Sequence, residues 1–283
     1  MAASAASVGD ALGAAVEALR AAGVESPRLD AELLLAEATG LDRAGLIADP
    51  EGRLGPPAAR RFGELVRRRL RREPVAYILG RRGFRRIELA VDGRVLIPRP
   101  ETELLVELAL ERKPALVLDL GTGSGAIALA VADELPECRV IATDTSAAAL
   151  AVASANARRL GLADRVRFLN GTVPVGESFD LILANLPYVA ESAWPSLQPE
   201  VRRWEPREAL LAGRDGLEAY RRVIPDCVRA LSSQVDRDSG LVAVEVGEGQ
   251  VEEVAGLLRR AGLPQIEVRR DLAGIERLVV AGR

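Results

Sequence analysis

The chain contains no histidine. That absence excludes Ser/His/Asp and Cys/His nucleophile pairs, HExxH zinc sites and any imidazole acid or base titrating near neutrality. Cysteine is nearly absent as well. Cys138 and Cys227 lie 89 residues apart and form no CxxC pair, so neither a zinc cage nor a disulfide framework is readable. A reducing cytoplasm is the expected location, and no metal is expected. No apolar run approaches the ~18 residues of a membrane span. The opening MAASAASVGD has neither a positive n-region nor an unbroken apolar h-region, so the expectation is a chain neither secreted nor inserted. A net charge of -3 lacks the strongly basic footprint of a nucleic-acid binder. Lys113 is the sole lysine among 38 basic residues, a composition effect, and only nine side chains are aromatic.

What remains is an ordinary globular composition: 283 residues, 48% hydrophobic and 28% charged, enough for about two domains of roughly 150 residues. Residues 1–75 read as short helices forming one domain. Leu12, Ala15, Val16 and Leu19 recur at helical spacing behind Ser7, an N-cap candidate with Asp10 three residues on, and Gly23 ends the run. Ser26-Pro27 reads as a cap with proline at the first helical position, opening a leucine-rich helix. A further helix carries Phe62, Leu65, Val66 and Leu70 on one face and Arg60, Arg61, Arg67, Arg68, Arg69, Arg71 and Arg72 mostly on the other. This arginine face is either solvated or a docking surface for an acidic partner.

Residues 76–100 read as a hairpin or extended connector built from two alternating segments, FRRIELAV and RVLI, among Gly80, Gly83, Gly93, Pro98 and Pro100. From 101 to the end the pattern is α/β. Seven β-rich runs (ALVLDL, RVIATD, RVRFLN, FDLILAN, LVAVEV, QIEVRR and RLVVAG) alternate with helical segments, which predicts a Rossmann-like, mostly parallel seven-stranded sheet.

The first run ends in Asp119 and Leu120, then Gly121, Thr122, Gly123, Ser124 and Gly125, and a helix follows. Glycines at a strand-to-helix turn let the backbone approach a ligand, and the helix N-terminus presents free N–H groups. The second run ends in Asp144, whose carboxylate suits both hydroxyls of a ribose or, alternatively, caps a helix. Because Ala126 completes a GxGxxA reading, a nicotinamide cofactor competes at this point. The fourth run ends in Asn185, Leu186, Pro187 and Tyr188. The Asn185 carboxamide oxygen and the Leu186 carbonyl offer two acceptors for the two N–H donors of a planar NH2 group. Pro187 fixes the turn, and Tyr188 offers a ring to stack on a conjugated amide or base. Hydride transfer calls for none of this.

With these motifs, the sequence resembles the class I S-adenosylmethionine-dependent methyltransferases, in which an Asn-Pro-Pro-Tyr-like motif marks enzymes that methylate planar NH2 groups. The closer likeness is to the release-factor glutamine methyltransferases, the PrmC/HemK group. It runs through Tyr77-Ile78-Leu79-Gly80 with Phe84, the segment IPRPETE ending at Glu103, DLGTGSGAIALA, NLPY, Glu205-Pro206 through AGRDGLEAYR, EVGEGQ and RDLAGIER. The resemblance implies methylation of the glutamine side-chain nitrogen in the Gly-Gly-Gln motif of bacterial peptide chain release factors, with S-adenosylmethionine converted to S-adenosylhomocysteine. It also implies a helical N-terminal domain that recognises the factor. By position, Gly121, Thr122, Gly123, Ser124, Gly125, Asp144 and Asn185 would hold the cofactor, Asn185 through Tyr188 the glutamine, and Asn185 and Tyr188 would be catalytic.

Three departures stand out. Leu186 replaces the usual first proline, and Asn170-Gly171-Thr172-Val173 lacks the acidic and bulky residues that commonly flank adenine. NLPY also looks like the motif of ribosomal RNA adenine dimethyltransferases, which leaves an adenine methyltransferase on RNA or DNA as the alternative and a cofactor-binding adaptor behind it. Arg99, Glu101 and Thr102 are either an interdomain brace or ligand contacts, and Trp194 and Trp204 either line a lid or fill a core.

Overall fold

The computed structural model describes residues 7–232 and 240–283; the stretch 1–6, on which the absence of a leader was read, lies outside the described residues. The chain divides into two compact units, one of residues 1–80 with 198–204 and the other of residues 81–197 with 205–283.

The first unit is helical: α1 (Val8–Ala21), α2 (Pro27–Thr39), α3 (Arg43–Ala48), α4 (Pro56–Leu70) and α5 (Val75–Leu79), joined by α9 (Pro199–Trp204) from far along the chain. Ser7 caps α1 as its spacing predicts, its Oγ accepting from Asp10 N at 3.0 Å. Ser26 does not cap α2 through its side chain; only Pro27 at the first position marks that start. The core gathers Leu19, Leu34, Leu35, Phe62 and Leu65, each worth about 1.5–3 kcal/mol for leaving water.

The arginine helix differs from its sequence reading. The buried face of α4 holds Arg69 beside Phe62, Leu65 and Val66, while Leu70 is exposed. Arg69 Nε donates to Asp30 at 2.6 Å and its Nη2 to Glu200 at 2.8 Å, and Arg72 grips both oxygens of Glu200 at 2.7 Å. Arg68 pairs with Glu73. Arg60, Arg61, Arg67 and Arg71 alone form an exposed face.

The second unit opens with an antiparallel hairpin, β1 (Arg81–Phe84) and β2 (Ile87–Ala90). Its turn falls inside FRRIELAV, at Arg85, which sits at φ 51°. Glu103 Oε1 accepts from Arg85 N at 3.1 Å, and the Arg85 guanidinium is held by Glu134 and Glu107. RVLI is in no strand. Ile97 N donates to the Glu205 side chain instead of a ladder, and Pro98 and Pro100 have no N–H to give.

Then follow α6 (Glu103–Arg112), β3 (Leu116–Leu120), α7 (Ala126–Glu134), β4 (Arg139–Asp144), α8 (Ala147–Arg159), β5 (Val166–Asn170), β6 (Leu181–Ala184), α10 (Glu218–Ala230), β7 (Leu241–Glu245), α11 (Val251–Arg260), β8 (Gln265–Arg270) and β9 (Glu276–Gly282). All seven predicted runs are strands of one sheet, ordered β5-β4-β3-β6-β7-β9-β8, parallel except where β9 pairs with β7 and β8. The order reverses between β3 and β6, so the carboxyl ends of β3, β4 and β6 open one crevice. Cys138 and Cys227 are buried free thiols, pushed up to about 11 and about 12 by burial. No helix among the described residues is long and apolar enough to cross a membrane.

Candidate active site

The loop after β3 is shaped from beneath by Asp119, which is fully buried and accepts from Thr122 Oγ1 at 2.6 Å and Ala128 N at 3.0 Å. Its other oxygen has no partner among the described residues, and burial pushes its pKa up to about 7. Gly121 and Thr122 both donate to Thr143 O at 2.9 Å, tying the loop to β4. Asp144, at the end of β4, accepts from Gly123 N at 2.9 Å and Ser146 N at 2.8 Å. Both carboxylate oxygens therefore already hold backbone, and each keeps lone-pair capacity for a further donor. Asp144 braces the loop while lining the cavity, and the cap of α8 is Ser146, whose Oγ accepts from Ala149 N at 3.2 Å.

That cavity, about 340 Å³, is bounded by Leu120 to Ser124, Asp144 to Ser146, Gly171 and Thr172, and Asn185 to Pro187, with Arg99 and Thr102. Its size is that of a small-molecule site. The residues fit a nucleoside-bearing cofactor. Gly121 sits at φ 78°, which side chains rarely adopt, and a Cβ there would come 3.3 Å from Leu186 Cδ2 and 3.5 Å from Asn185 O, so the turn favours glycine and the loop lies close against NLPY. Gly125, at φ 87°, turns the loop into α7, where a Cβ would strike Leu129 at 2.9 Å.

Asn185 Nδ2 donates to Thr102 Oγ1 at 2.9 Å, and Thr102 Oγ1 donates to Glu245 Oε2 at 2.7 Å. Glu245 is buried and pushed up to about 7, chiefly by desolvation. Among the described residues, neither Asn185 Oδ1 nor Leu186 O accepts a hydrogen bond. Tyr188 stands apart from its neighbours in the tetrapeptide. Its ring lies where a Cβ on Gly247 would come within 3.1 Å, it packs against the sheet core, and it is not on the cavity wall. Burial pushes its hydroxyl up to about 12. Its carbonyl accepts from Gln250 Nε2 at 3.0 Å, and Gln250 Oε1 accepts from Gly247 N at 3.0 Å. Gln250 thereby joins NLPY to the EVGEGQ segment.

Arg99 pairs with buried Glu205 at 2.5 Å inside the second unit, so it is a local brace that also lines the cavity. The tryptophans part company: Trp194 lies under the Arg207 guanidinium at 5.3 Å, and Trp204 belongs to the helical unit with its indole N–H buried. Sequence reasoning placed Glu205, Glu245 and Gln250 within segments of the family resemblance without giving them a role, and it missed Asn156. Fully buried Asn156 donates to Ser124 O at 2.9 Å and Ala90 O at 3.0 Å and accepts from Ala90 N at 2.8 Å, stapling the glycine loop to β2. Its signal was an asparagine on the alanine-lined face of α8.

Two family models match, the PrmC N-terminal domain over residues 10–80 and the methyltransferase small domain over residues 100–197. The chain is 46% identical over 281 residues to the release factor glutamine methyltransferase of Moorella thermoacetica, covering 96% of this chain and 97% of the relative. It is 41% identical over 274 residues to that of Caulobacter vibrioides, covering 94% and 93%. Among solved structures, the hMettl16 catalytic domain in complex with a 3'UTR hairpin aligns at a TM-score of 0.56 with 16% identity, over 69% of this chain and 75% of that one. A methyltransferase from Pyrococcus furiosus aligns at 0.51 with 16% identity, over 69% and 87%. These two likenesses are of fold alone. The full-length relatives, both family models and the sheet order together place the chain in the release factor glutamine methyltransferase family.

Proposed function

We propose that this chain transfers a methyl group from S-adenosylmethionine to the side-chain amide nitrogen of the glutamine in the Gly-Gly-Gln motif of peptide chain release factors, in the cytoplasm where translation terminates. The observation that carries the reading is the commitment of Asn185 Nδ2 to Thr102, which leaves Asn185 Oδ1 and the adjacent Leu186 carbonyl as free acceptors beside a cavity that the glycine loop and Asp144 also line. Gly121 to Gly125 and Asp144 would hold the cofactor. When bound, it supplies an electrophilic methyl group.

An amide nitrogen is a poor nucleophile because its lone pair is delocalised. Asn185 Oδ1 and Leu186 O each accept one N–H of the substrate carboxamide, which fixes the rotation of the NH2 group. Orientation of this kind contributes on the order of 7–11 kcal/mol to lowering a barrier. As positive charge develops on the nitrogen its N–H groups become stronger donors, so the same acceptors bind the transition state more tightly than the ground state. The proton then leaves to water or through Asn185 Oδ1, and no histidine is needed. Pro187 stiffens the turn, and Tyr188 anchors it through the carbonyl held by Gln250. Leu186 in place of a proline retains the carbonyl, and its buried side chain against Gly121 restores stiffness by packing.

The test is incubation with labelled S-adenosylmethionine and a release factor, its Gln→Ala variant in Gly-Gly-Gln, and RNA in parallel. Label confined to the unaltered factor is expected; label on RNA, or label indifferent to that glutamine, overturns the reading.

A further inference from the structure

We propose that Thr102 and Glu245 are positioning residues that set which way round the Asn185 carboxamide sits. The proposal rests on Asn185 acting as the acceptor for the substrate amide, as argued above. A carboxamide is nearly symmetric in shape, and exchanging its oxygen and nitrogen by a half-turn about χ2 would present N–H donors to a substrate that itself offers only N–H donors. Something must hold the orientation before substrate arrives.

The structure contains a one-way chain that does so. A threonine hydroxyl has a single proton, and that of Thr102 goes to Glu245 Oε2 at 2.7 Å. The lone pairs on Thr102 Oγ1 are then what it can offer to Asn185, so at 2.9 Å it takes a proton from Nδ2 and would meet Oδ1 as lone pair against lone pair. As the carboxylate, which can only accept, Glu245 thus determines the polarity of Thr102, and Thr102 that of Asn185. The three residues come from the start of α6, the end of β6 and the end of β7, separated by 83 and 143 positions from Thr102, and each of Thr102 and Glu245 is buried, so water does not compete for the hydroxyl. Thr102 borders the cavity and Glu245 lies behind it.

A double-mutant cycle tests this. Thr102→Val keeps the shape of the side chain and removes the relay; kcat is expected to fall about tenfold, with KM for the release factor changed less than threefold and S-adenosylmethionine affinity by calorimetry unchanged. Thr102→Ser, which restores the hydroxyl, should recover kcat to within about twofold of wild type. Glu245→Leu should lower kcat comparably, and the double variant no further than the worse single one, because both changes cut one chain; two independent packing defects would instead multiply. Equal loss in Thr102→Ser and Thr102→Val, or multiplicative losses in the cycle, overturns the proposal. The wild-type protein supplies a check that needs no variant to fold: at least one Asn185 Nδ2 proton should exchange slowly with solvent in 15N spectra, and rapid exchange of both overturns the relay. If Asn185→Ala were itself harmless to kcat, the proposed function would fall with it; if Asn185→Ala is inactive and Thr102→Val is normal, only the relay falls.

Discussion

Buried carboxylates of the helical unit have guanidinium partners, and two of those in the α/β unit have none. In the helical unit Asp30 and Glu200 share the guanidinium of Arg69, and Arg72 adds a second grip on Glu200. Desolvation pushes Glu200 up, but hydrogen bonds from Arg72 and Arg69 outweigh it and hold its carboxyl below the usual range; Asp30, with one guanidinium, stays raised by its burial. The α/β unit has such pairs too, Arg85 with Glu134 and Arg99 with Glu205. At the ends of β3 and β7, however, Asp119 and Glu245 are buried with neutral donors, the hydroxyls of Thr122 and Thr102, and burial pushes both up to about 7. Paired carboxylates fasten segments far apart in sequence, such as α4 and α9. Those without a guanidinium sit where a neutral group must be aimed, the glycine loop in one case and the Asn185 amide in the other.

The sharpest break in this contrast is at the group being aimed. Asn185→Ala should lower kcat by about 10³ or more, because it removes an oriented acceptor that acts at the transition state. Cofactor binding by calorimetry should largely persist, falling far less than kcat, and the unfolding midpoint should remain near wild type. Near-normal turnover would reduce the polar chain behind Asn185 to packing.

In the helical unit the expected loss is of stability. Arg69→Met strands Asp30 in a buried position and leaves Glu200 with Arg72 alone, which should cost about 3–5 kcal/mol in urea denaturation, while S-adenosylmethionine affinity in the α/β unit stays unchanged. A loss under about 1 kcal/mol would place this pair with ordinary surface bridges and remove one side of the comparison.

Asp144→Ala tests a carboxylate that braces and, by proposal, binds. Losing the acceptors for Gly123 N and Ser146 N together with those offered to a ribose should weaken S-adenosylmethionine by about thirty- to a hundredfold, or about 2–3 kcal/mol. Asp144→Asn retains one acceptor and should fall between. Unchanged affinity in both would leave Asp144 as a brace alone.

The α/β architecture was legible because strand and helix periods are written locally: RVIATD and QIEVRR coincide with β4 and β8 to the residue. So were the glycine loop and NLPY, since the chemistry of each lies within a few consecutive positions. RVLI failed because alternation describes burial, and Val95 and Ile97 are buried without a partner strand. Arg69 on the buried face of α4 was hidden by its neighbours, because its counter-charges lie 39 and 131 positions away. Thr102 stood inside a motif already singled out, yet its role depends on Glu245, and no local pattern links them. The surroundings of the Tyr188 ring are not written in NLPY, because Gly247, from another segment, leaves the space it occupies.

The smallest effect concerns Asp119, where the contrast becomes a matter of pH. Its folded pKa, about 7, lies above the ordinary 3.8. The folded state therefore holds the proton more tightly than the unfolded chain does, so the stability it contributes is complete below about pH 4 and is lost as pH rises through 7. Asp119→Asn keeps an acceptor for Thr122 and Ala128 and does not titrate. Denaturant midpoints of the two proteins, measured between pH 5 and pH 7, should move so that the variant gains about 1–2 kcal/mol on wild type across that range. Glu200→Gln should run the other way and in a lower window, below the ordinary 4.5, since a carboxyl held low by Arg72 and Arg69 contributes stability above its unfolded pKa and loses it as pH falls through its folded value. Parallel pH trends in the two variants would mean that the guanidinium partner, present at one site and missing at the other, does not govern how this protein buries a carboxylate.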